Sequence, residues 1–159
     1  CQDNEIGWFD WGLLARYKDI HRFTKLLIAA RLMHGDTDVK ELTLNQLLGK
    51  ARLEWHGVRL RTPDLNHESH SIALTAWSAT RGVVFHYMVN AYWKPLTFRL
   101  PSPKKMPGSA WHRWIDTSLA SPEDIVPWDA MQPITANNYR LPERSLAVLI
   151  ARVREVPDG

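Results

Sequence analysis

Three carboxylates lie among aromatic side chains in residues 1–11. Asp3, Glu5 and Asp10 are close enough in sequence to suggest acid–base chemistry, in which two carboxyl groups of different pKa act on one bond. The simpler interpretation is structural, because acidic side chains in such segments cap helices and form ion pairs. We therefore expect a loop whose carboxylates mainly stabilise local structure.

Seven histidines raise the question of a metal site. His67 and His70 are three residues apart, and His56 and His86 lie elsewhere. A zinc site needs about four converging ligands, which usually include cysteine, whereas Cys1 is the only cysteine and is terminal. The chain also lacks a Gly-x-Ser-x-Gly elbow and a glycine-rich phosphate loop. We expect no metal, no cofactor and no nucleophilic triad.

The composition is that of an ordinary globular protein, with 45% hydrophobic and 23% charged residues among 159. That length allows one domain, or one small domain with an attached element. The net charge of +3 is dispersed and accompanies no recognised nucleic-acid-binding module. Apolar runs such as residues 26–30 are far too short to span a bilayer. We expect neither nucleic acid nor a membrane as a partner.

An amphipathic helix is predicted for residues 13–33, because apolar residues recur there at steps of three and four. Asp10 is its predicted N-cap and Gly35 its predicted stop. One face of the helix is apolar and needs cover. We expect this face to pack on the rest of the chain, to dock onto a second copy in a homo-oligomer, or to cause aggregation. The residues concerned are Tyr17, Ile20, Phe23 and Leu27.

The polar segment 36–50, with a predicted short helix at 43–48, marks the expected domain boundary. Strands dominate beyond it. Alternating side chains predict strands at 71–78 and 83–90, joined by a short turn as a hairpin. Further strands are predicted at 96–100, 111–116 and 146–151, with a long proline-bearing connection over 122–138. Short strands with turns between them predict an antiparallel β-sandwich over residues 51–154.

Several sequence blocks in order resemble one family over nearly the whole chain. Residues 1–11 resemble the Cys-Gln-Asp-Asn-Glu-Ile-(Ser/Gly)-Trp-Phe-Asp-Trp signature of bacterial glycogen debranching enzymes and isoamylases, members of the α-amylase superfamily. The other blocks include Trp-His-Gly-Val at 55–58, Asn-Ala-Tyr-Trp at 90–93, Asp-Thr-Ser-Leu at 116–119 and Ser-Pro-Glu-Asp-Ile at 121–125. Lys94 departs from the family, which often has an acidic residue there.

The resemblance implies a domain organisation. In this family the first block follows the eighth strand of a catalytic (β/α)8 barrel. Residues 1–35 would then be the end of the barrel, with the amphipathic helix as its last helix. Residues 36–50 would be a linker, and residues 51–154 the C-terminal β-sandwich of the α-amylase type. The absence of an initiator Met or signal-like start fits a chain that continues from a larger protein.

The resemblance also implies a function. The family hydrolyses α-1,6-glucosidic branch linkages in glycogen or similar glucans, with a pair of carboxyl groups facing the bond. The catalytic Asp, Glu and Asp of this family follow earlier strands of the barrel. We therefore expect no catalytic residue in this chain and no activity from the chain alone. The expected partners are the catalytic barrel and, through it, a glucan. The expected location is the bacterial cytoplasm, with a plastid as the alternative.

Glucan contacts are expected at two places. The resemblance puts the first block near the sugar cleft, where Asp3 and Asn4 would hydrogen-bond sugar hydroxyls. Aromatic rings stack on sugars, and loop-like or edge sequence surrounds Trp111, Trp114 and Trp128, which we expect to be exposed. We expect Trp55, Trp77 and Trp93 in the core or in a seam. The alternative functions are a freestanding glucan-binding module and a structural or oligomerisation module.

Overall fold

The computed structural model describes residues 3–33, 52–77, 82–102 and 110–152. The chain divides into two compact units, Cys1–Gly35 and Asp36–Gly159, and each is described by itself. The predicted stop at Gly35, the linker 36–50 with its short helix, and most of the turn between the two hairpin strands lie outside the described residues.

In the described part of the first unit, residues 3–33, the chain forms two helices, α1 at Leu13–Arg16 and α2 at Lys18–Met33. The prediction of one uninterrupted helix is wrong, because Tyr17 leaves the helical region with φ −118° and ψ 40°. The predicted cap is wrong as well, since Gly12 is the N-cap residue and makes no side-chain cap. The Asp10 carboxylate instead accepts a 2.8 Å hydrogen bond from the Gly12 backbone N–H, in the turn before the helix.

The described residues of the second unit form eight strands, and every pairing among these strands is antiparallel. This confirms the predicted mainly β class. The strands are β1 (Arg52–His56), β2 (Ser71–Trp77), β3 (Val83–Asn90), β4 (Leu96–Arg99), β5 (Trp111–Asp116), β6 (Gln132–Ile134), β7 (Asn138–Leu141) and β8 (Ser145–Arg152). The β2–β3 hairpin is confirmed, with Ser71 opposite Asn90 and Trp77 opposite Val84. The predicted connection 122–138 is not wholly a loop, because it contains β6 and the first residue of β7.

A six-stranded sheet, ordered β1-β2-β3-β8-β5-β6, is accompanied by a two-stranded sheet, β4-β7. Side chains from one face of the large sheet and from the small sheet form a single hydrophobic core. We call this face of the large sheet the inner face and the opposite one the outer face. The core members are Ala73, Val84, Met88, Phe98, Leu100, Trp111, Leu141, Ala147, Leu149 and Ala151. The two layers are therefore held together as a sandwich-like pair.

Asn90, at the end of β3, joins the two sheets through its side chain. It is fully buried, and its amide nitrogen donates to the backbone oxygens of Lys94, Leu141 and Pro142 at 2.9–3.2 Å. Its amide oxygen accepts from the backbone N–H of Tyr92 at 3.0 Å. One buried side chain thus satisfies four backbone groups where β3, β4 and β7 approach one another.

Asn90→Ala is expected to lower the free energy of unfolding by about 3 kcal/mol, because a buried polar group without a partner costs about 1–3 kcal/mol. The measurement is urea unfolding followed by tryptophan fluorescence. Asn138→Ala, at an exposed position of β7, is the control and should change stability by less than about 0.5 kcal/mol. Equal effects at the two positions would contradict this role of Asn90.

Candidate functional site

The outer face of the large sheet is as apolar as the inner face. The strand register places apolar side chains of four strands next to one another. Trp55 lies opposite Leu74, Leu74 opposite Tyr87, and Tyr87 opposite Val148. The apolar outer-face side chains of these four strands include Leu53, Trp55, Ile72, Leu74, Ala76, Val83, Phe85, Tyr87, Val89, Leu146, Val148 and Ile150, and Arg152 lies at the end of this face. An antiparallel sheet with one face in water normally alternates apolar and polar side chains, and this sheet does not.

Cover on the outer face is uneven. Over the middle of β8 it is complete, since Val148 and Ile150 are 3% and 1% exposed, whereas Leu146 is half-buried. Trp114 and Trp128 both contact the ring of Phe85, with ring centroids 6.3 Å apart, and contact each other at 5.9 Å. On β1 and β2 the cover is partial, because Trp55 is 49% exposed and Leu74 is half-buried. The outer face is therefore a surface prepared for a further layer.

The predicted exposure of Trp111 is wrong. Trp111 is 1% exposed and belongs to the core between the sheets, where its indole N–H donates to the Pro101 carbonyl at 2.9 Å. A sugar therefore cannot reach its ring. Trp114 and Trp128 are half-buried in the cluster with Phe85. Their contact with a glucan stays a prediction.

The tryptophans expected in the core differ among themselves. Trp77 packs against the core, and the Arg52 guanidinium lies 4.7 Å from its ring centroid. Trp55 and Trp93, in contrast, are 49% and 58% exposed, so the expectation is wrong for these two. Neither an alternating pattern nor a neighbouring proline indicates which face of a sheet is covered by a second layer. The exposure of Trp55 and Trp93 could therefore not be predicted from the sequence.

Asp3 and Asn4 are engaged in a local turn. The Asp3 carboxylate accepts from the Trp8 indole N–H at 2.6 Å, and the Asn4 side-chain oxygen accepts from the Ile6 backbone N–H at 3.2 Å. Trp8 itself is 61% exposed. These contacts agree with the structural interpretation of this acidic segment. A role of Asp3 and Asn4 in binding sugar hydroxyls stays a prediction.

A chain of buried polar groups crosses the inner face from β1 to β3. The Arg61 backbone N–H donates to His56 Nδ1 at 2.9 Å, so this nitrogen carries no proton in the neutral ring. His56 Nε2 then donates to the Thr75 hydroxyl at 2.9 Å. The Thr75 hydroxyl oxygen also lies 2.9 Å from His86 Nδ1, within hydrogen-bond distance. The Arg61 N–H thereby assigns one tautomer to the His56 ring.

These histidines are kept neutral by their surroundings. Burial, followed by the charge of His56, lowers the pKa of His86 from its ordinary value of 6.5 to about 3. Burial also lowers the pKa of His56, an effect that Glu54 opposes and Arg61 reinforces. Among the described residues, His86 Nε2 has no hydrogen-bond partner, and its ring lies 5.6 Å from that of Trp111. Both imidazoles are at most 1% exposed, so neither can reach a substrate. Their role is structural.

Asp116 organises the turn after β5. Its carboxylate accepts from the backbone N–H and the hydroxyl of Ser118, at 2.9 and 2.6 Å, and from the Tyr139 hydroxyl at 2.5 Å. Burial, followed by the hydrogen bond to Asp116, strongly raises the pKa of Tyr139. The carboxylate is thus used in linking β5 to β7, and we assign it no chemistry.

Within the ranges that the structure describes, His, Cys, Asp and Glu side chains form no group of three or more that could hold a metal ion. In those same ranges, no helix combines the length and apolar character needed to cross a bilayer.

Stability is expected to fall as the pH is lowered from about 7 towards about 3. The unfolded chain takes up a proton at each of these histidines near pH 6.5, whereas folded His86 resists protonation down to about pH 3. The loss is at most about 1.4 kcal/mol per pH unit for each histidine. Urea unfolding at several pH values measures it. The NMR signals of the His86 ring should not shift between pH 8 and pH 5, and a transition near pH 6.5 would contradict this burial.

Comparison with known proteins identifies relatives that cover most of the chain. The profile of the family described as isoamylase 1-3, C-terminal, matches residues 54–147. Isoamylase 1, chloroplastic, from Arabidopsis thaliana is 28% identical over 142 residues, which are 88% of this chain and 17% of that protein. Isoamylase 3, chloroplastic, from Oryza sativa subsp. japonica is 29% identical over 151 residues, 94% of this chain and 18% of that protein. The chain spans less than a fifth of the length of these curated relatives.

The resemblance found in the sequence blocks is therefore confirmed over most of the chain. The matched residues begin in β1 and end in β8, so the family profile covers the large and small sheets and the core between them. The chain belongs to the isoamylase 1–3 C-terminal domain family and is a C-terminal domain of the debranching-enzyme type.

Proposed function

We propose that this chain is the C-terminal part of an isoamylase-type enzyme that hydrolyses α-1,6-glucosidic branch linkages in glycogen or a similar glucan. In this proposal the catalytic acids lie in another part of that enzyme, and this part supports the catalytic barrel. Membership of the isoamylase family supports the reaction class. The small share of each relative that the chain covers supports a division of labour between this part and the rest.

The observation that carries the proposal is the apolar outer face. A β-sandwich that stands alone leaves polar side chains on its outer faces, whereas this sheet presents aromatic and aliphatic side chains on β1, β2 and β3. Exposed apolar surface of this kind marks an interface with another protein layer. The barrel of the same enzyme is a partner that would remain permanently beside it.

The described residues also favour a supporting role over a reaction of their own. The buried histidine pair is inaccessible, and the Asp116 carboxylate holds a turn. The carboxylates of Asp3 and Asp10 serve local turns.

A role in self-association is a second candidate, favoured by the helical unit. Tyr17, Ile20 and Leu27 are 45%, 60% and 38% exposed. An apolar helix surface of this kind suits a second copy as well as a barrel. Sedimentation of the purified chain at several concentrations distinguishes a monomer from an oligomer.

The location in the cell follows from the parent enzyme. Both relatives are named as chloroplastic proteins, which supports a plastid for this protein too. The bacterial cytoplasm that the sequence blocks favoured stays a prediction.

The chain alone is expected to release no reducing ends from glycogen or pullulan, because the acid pair of a glycosidase is not expected in it. A chimera of Arabidopsis thaliana isoamylase 1, in which this chain replaces the matching segment, is expected to cleave branch linkages. A reducing-sugar assay measures both, with the truncated enzyme lacking the segment as control. Hydrolysis by the chain alone, or a chimera no more active than the truncated enzyme, would contradict the proposal.

Trp55→Lys in the same chimera is expected to reduce soluble yield and activity at least about fivefold, because it places a charge in the proposed interface. Leu65→Lys is the control, at a side chain that is 76% exposed in a loop. Both variants should leave the urea midpoint of the isolated chain nearly unchanged, since both side chains are exposed there. If Trp55→Lys behaves like Leu65→Lys in the chimera, the outer face does not support the barrel.

A further inference from the structure

Two neighbouring clefts lie at the end of the large sheet where β3 finishes. The first has a volume of about 460 Å³, and the second about 320 Å³. Both are lined by Val89 and Ala91, so they meet at the last residues of β3. These shared residues place the two clefts side by side, and we call the pair the end groove.

Strand register provides the floor of the end groove. Ile72, Val89 and Leu146 lie opposite one another on β2, β3 and β8, and each lines at least one of the two clefts. Three neighbouring strands span roughly 10 Å, at about 4.8 Å per step. The floor is therefore apolar and crosses the strands, which suits an extended ligand better than a compact one.

An aromatic platform stands beside this floor. The ring of His70, which lines the smaller cleft, forms a T-shaped contact with the ring of Trp93, with centroids 5.5 Å apart. Tyr92 lies against Trp93 at a centroid distance of 4.2 Å and a tilt of 34°. Trp93 is nevertheless 58% exposed. Its position is thus held by two neighbouring rings while much of its surface stays open to a ligand.

The walls of the end groove carry neutral hydrogen-bonding groups. Asn66, Ser69 and Ser71 line the smaller cleft, and Thr117 and Ser145 the larger one. Charged groups line it at the two sides, with Asp64 in the smaller cleft and Arg144 in the larger. Arg144 is held at φ 50°, an uncommon conformation for a residue with a side chain. The charges offset each other, which disfavours nucleic acid or an anionic ligand.

We propose that the end groove is a binding site for a linear glucan segment, with Trp93 as the stacking platform. A glucan offers apolar ring faces for the aromatic ring and the apolar floor, and hydroxyls that both donate and accept for the neutral walls. The choice of a glucan rests on the proposed function. The site is distinct from the three tryptophans that the sequence suggested, since Trp111 is buried and the ring contacts of Trp114 and Trp128 lie with Phe85 on the sheet.

Isothermal titration calorimetry of the full chain with maltoheptaose tests this site. The wild-type chain should bind, and Trp93→Ala should bind at least about tenfold more weakly, a change equivalent to about 1.4 kcal/mol. Trp55→Ala is the matched control, since it removes another exposed tryptophan whose backbone position is on β1. It should bind within about twofold of the wild-type chain. Circular dichroism and the urea midpoint show whether each variant is folded.

Asn66→Ala provides a second variant should Trp93→Ala fail to fold, and it is expected to weaken binding about threefold. Absence of maltoheptaose binding by the wild-type chain would overturn the proposal. Equal binding by the wild-type chain and Trp93→Ala, or by the wild-type chain and Asn66→Ala if only that variant folds, would overturn it too.

The same titration on the isoamylase chimera separates this proposal from the proposed function. A catalytically inactive version of the chimera, saturated at its catalytic site by a short branched inhibitor, should still bind maltoheptaose at the end groove. If the chimera hydrolyses branches but this second binding is missing, the groove proposal fails and the proposed function stands. If the chain binds glucan but the chimera is inactive, the proposed function fails and the groove stands.

Discussion

The pairing of β3 with β8 is the interaction on which the rest of this domain depends. Eight consecutive residues of each strand are in register, from Val83 opposite Arg152 to Asn90 opposite Ser145. Both strands are apolar on both faces, as is typical of strands at the centre of a sheet. Because side chains alternate, this one register places alanine, leucine and methionine inside and aromatic and branched side chains outside. A shift by one residue would put His86 and Asn90 on the outer face.

Polar groups inside the domain are arranged to make that register specific. The chain from His56 through Thr75 to His86 crosses three strands and requires each of them in its place. The Asn90 side chain donates a hydrogen bond to the backbone oxygen of Leu141 in the small sheet. The Asp116 carboxylate accepts a hydrogen bond from the Tyr139 hydroxyl. Each group would be costly in a wrong arrangement, because a buried polar group without a partner is destabilising. They therefore favour one fold over other ways of collapsing the same apolar residues.

The two faces of the large sheet serve different purposes. The inner face is covered by β4 and β7 of the same domain, so its apolar side chains are buried without a partner protein. The outer face is fully covered only over the middle of β8, and it ends at the end groove, where His70 contacts Trp93. A supporting domain needs this asymmetry, since it must be stable itself and must still offer apolar surface to a partner. In a debranching enzyme, such a partner would be the catalytic barrel.

The sequence by itself determined the local elements that have a strong period. Strands at 83–90 and 111–116 were predicted with the observed bounds, and 71–78 to within one residue, because alternation and flanking turns are local properties. The family was also evident from ordered sequence blocks, and its C-terminal domain was identified from them. Weakly patterned or very short strands such as β6 and β7 were missed, because they exist through pairing with β5 and β4.

Only the tertiary structure decided which aromatic side chains are accessible. Trp111 and Trp93 both lie near a strand end, yet one is 1% and the other 58% exposed. The difference arises because the small sheet covers the inner face around Trp111, a consequence of β4 pairing with β7 some forty residues away. The helix break at Tyr17 and the join between β3 and the small sheet at Asn90 were equally invisible in the sequence pattern. Periodicity shows that a side chain alternates, whereas exposure depends on which distant segment packs above it.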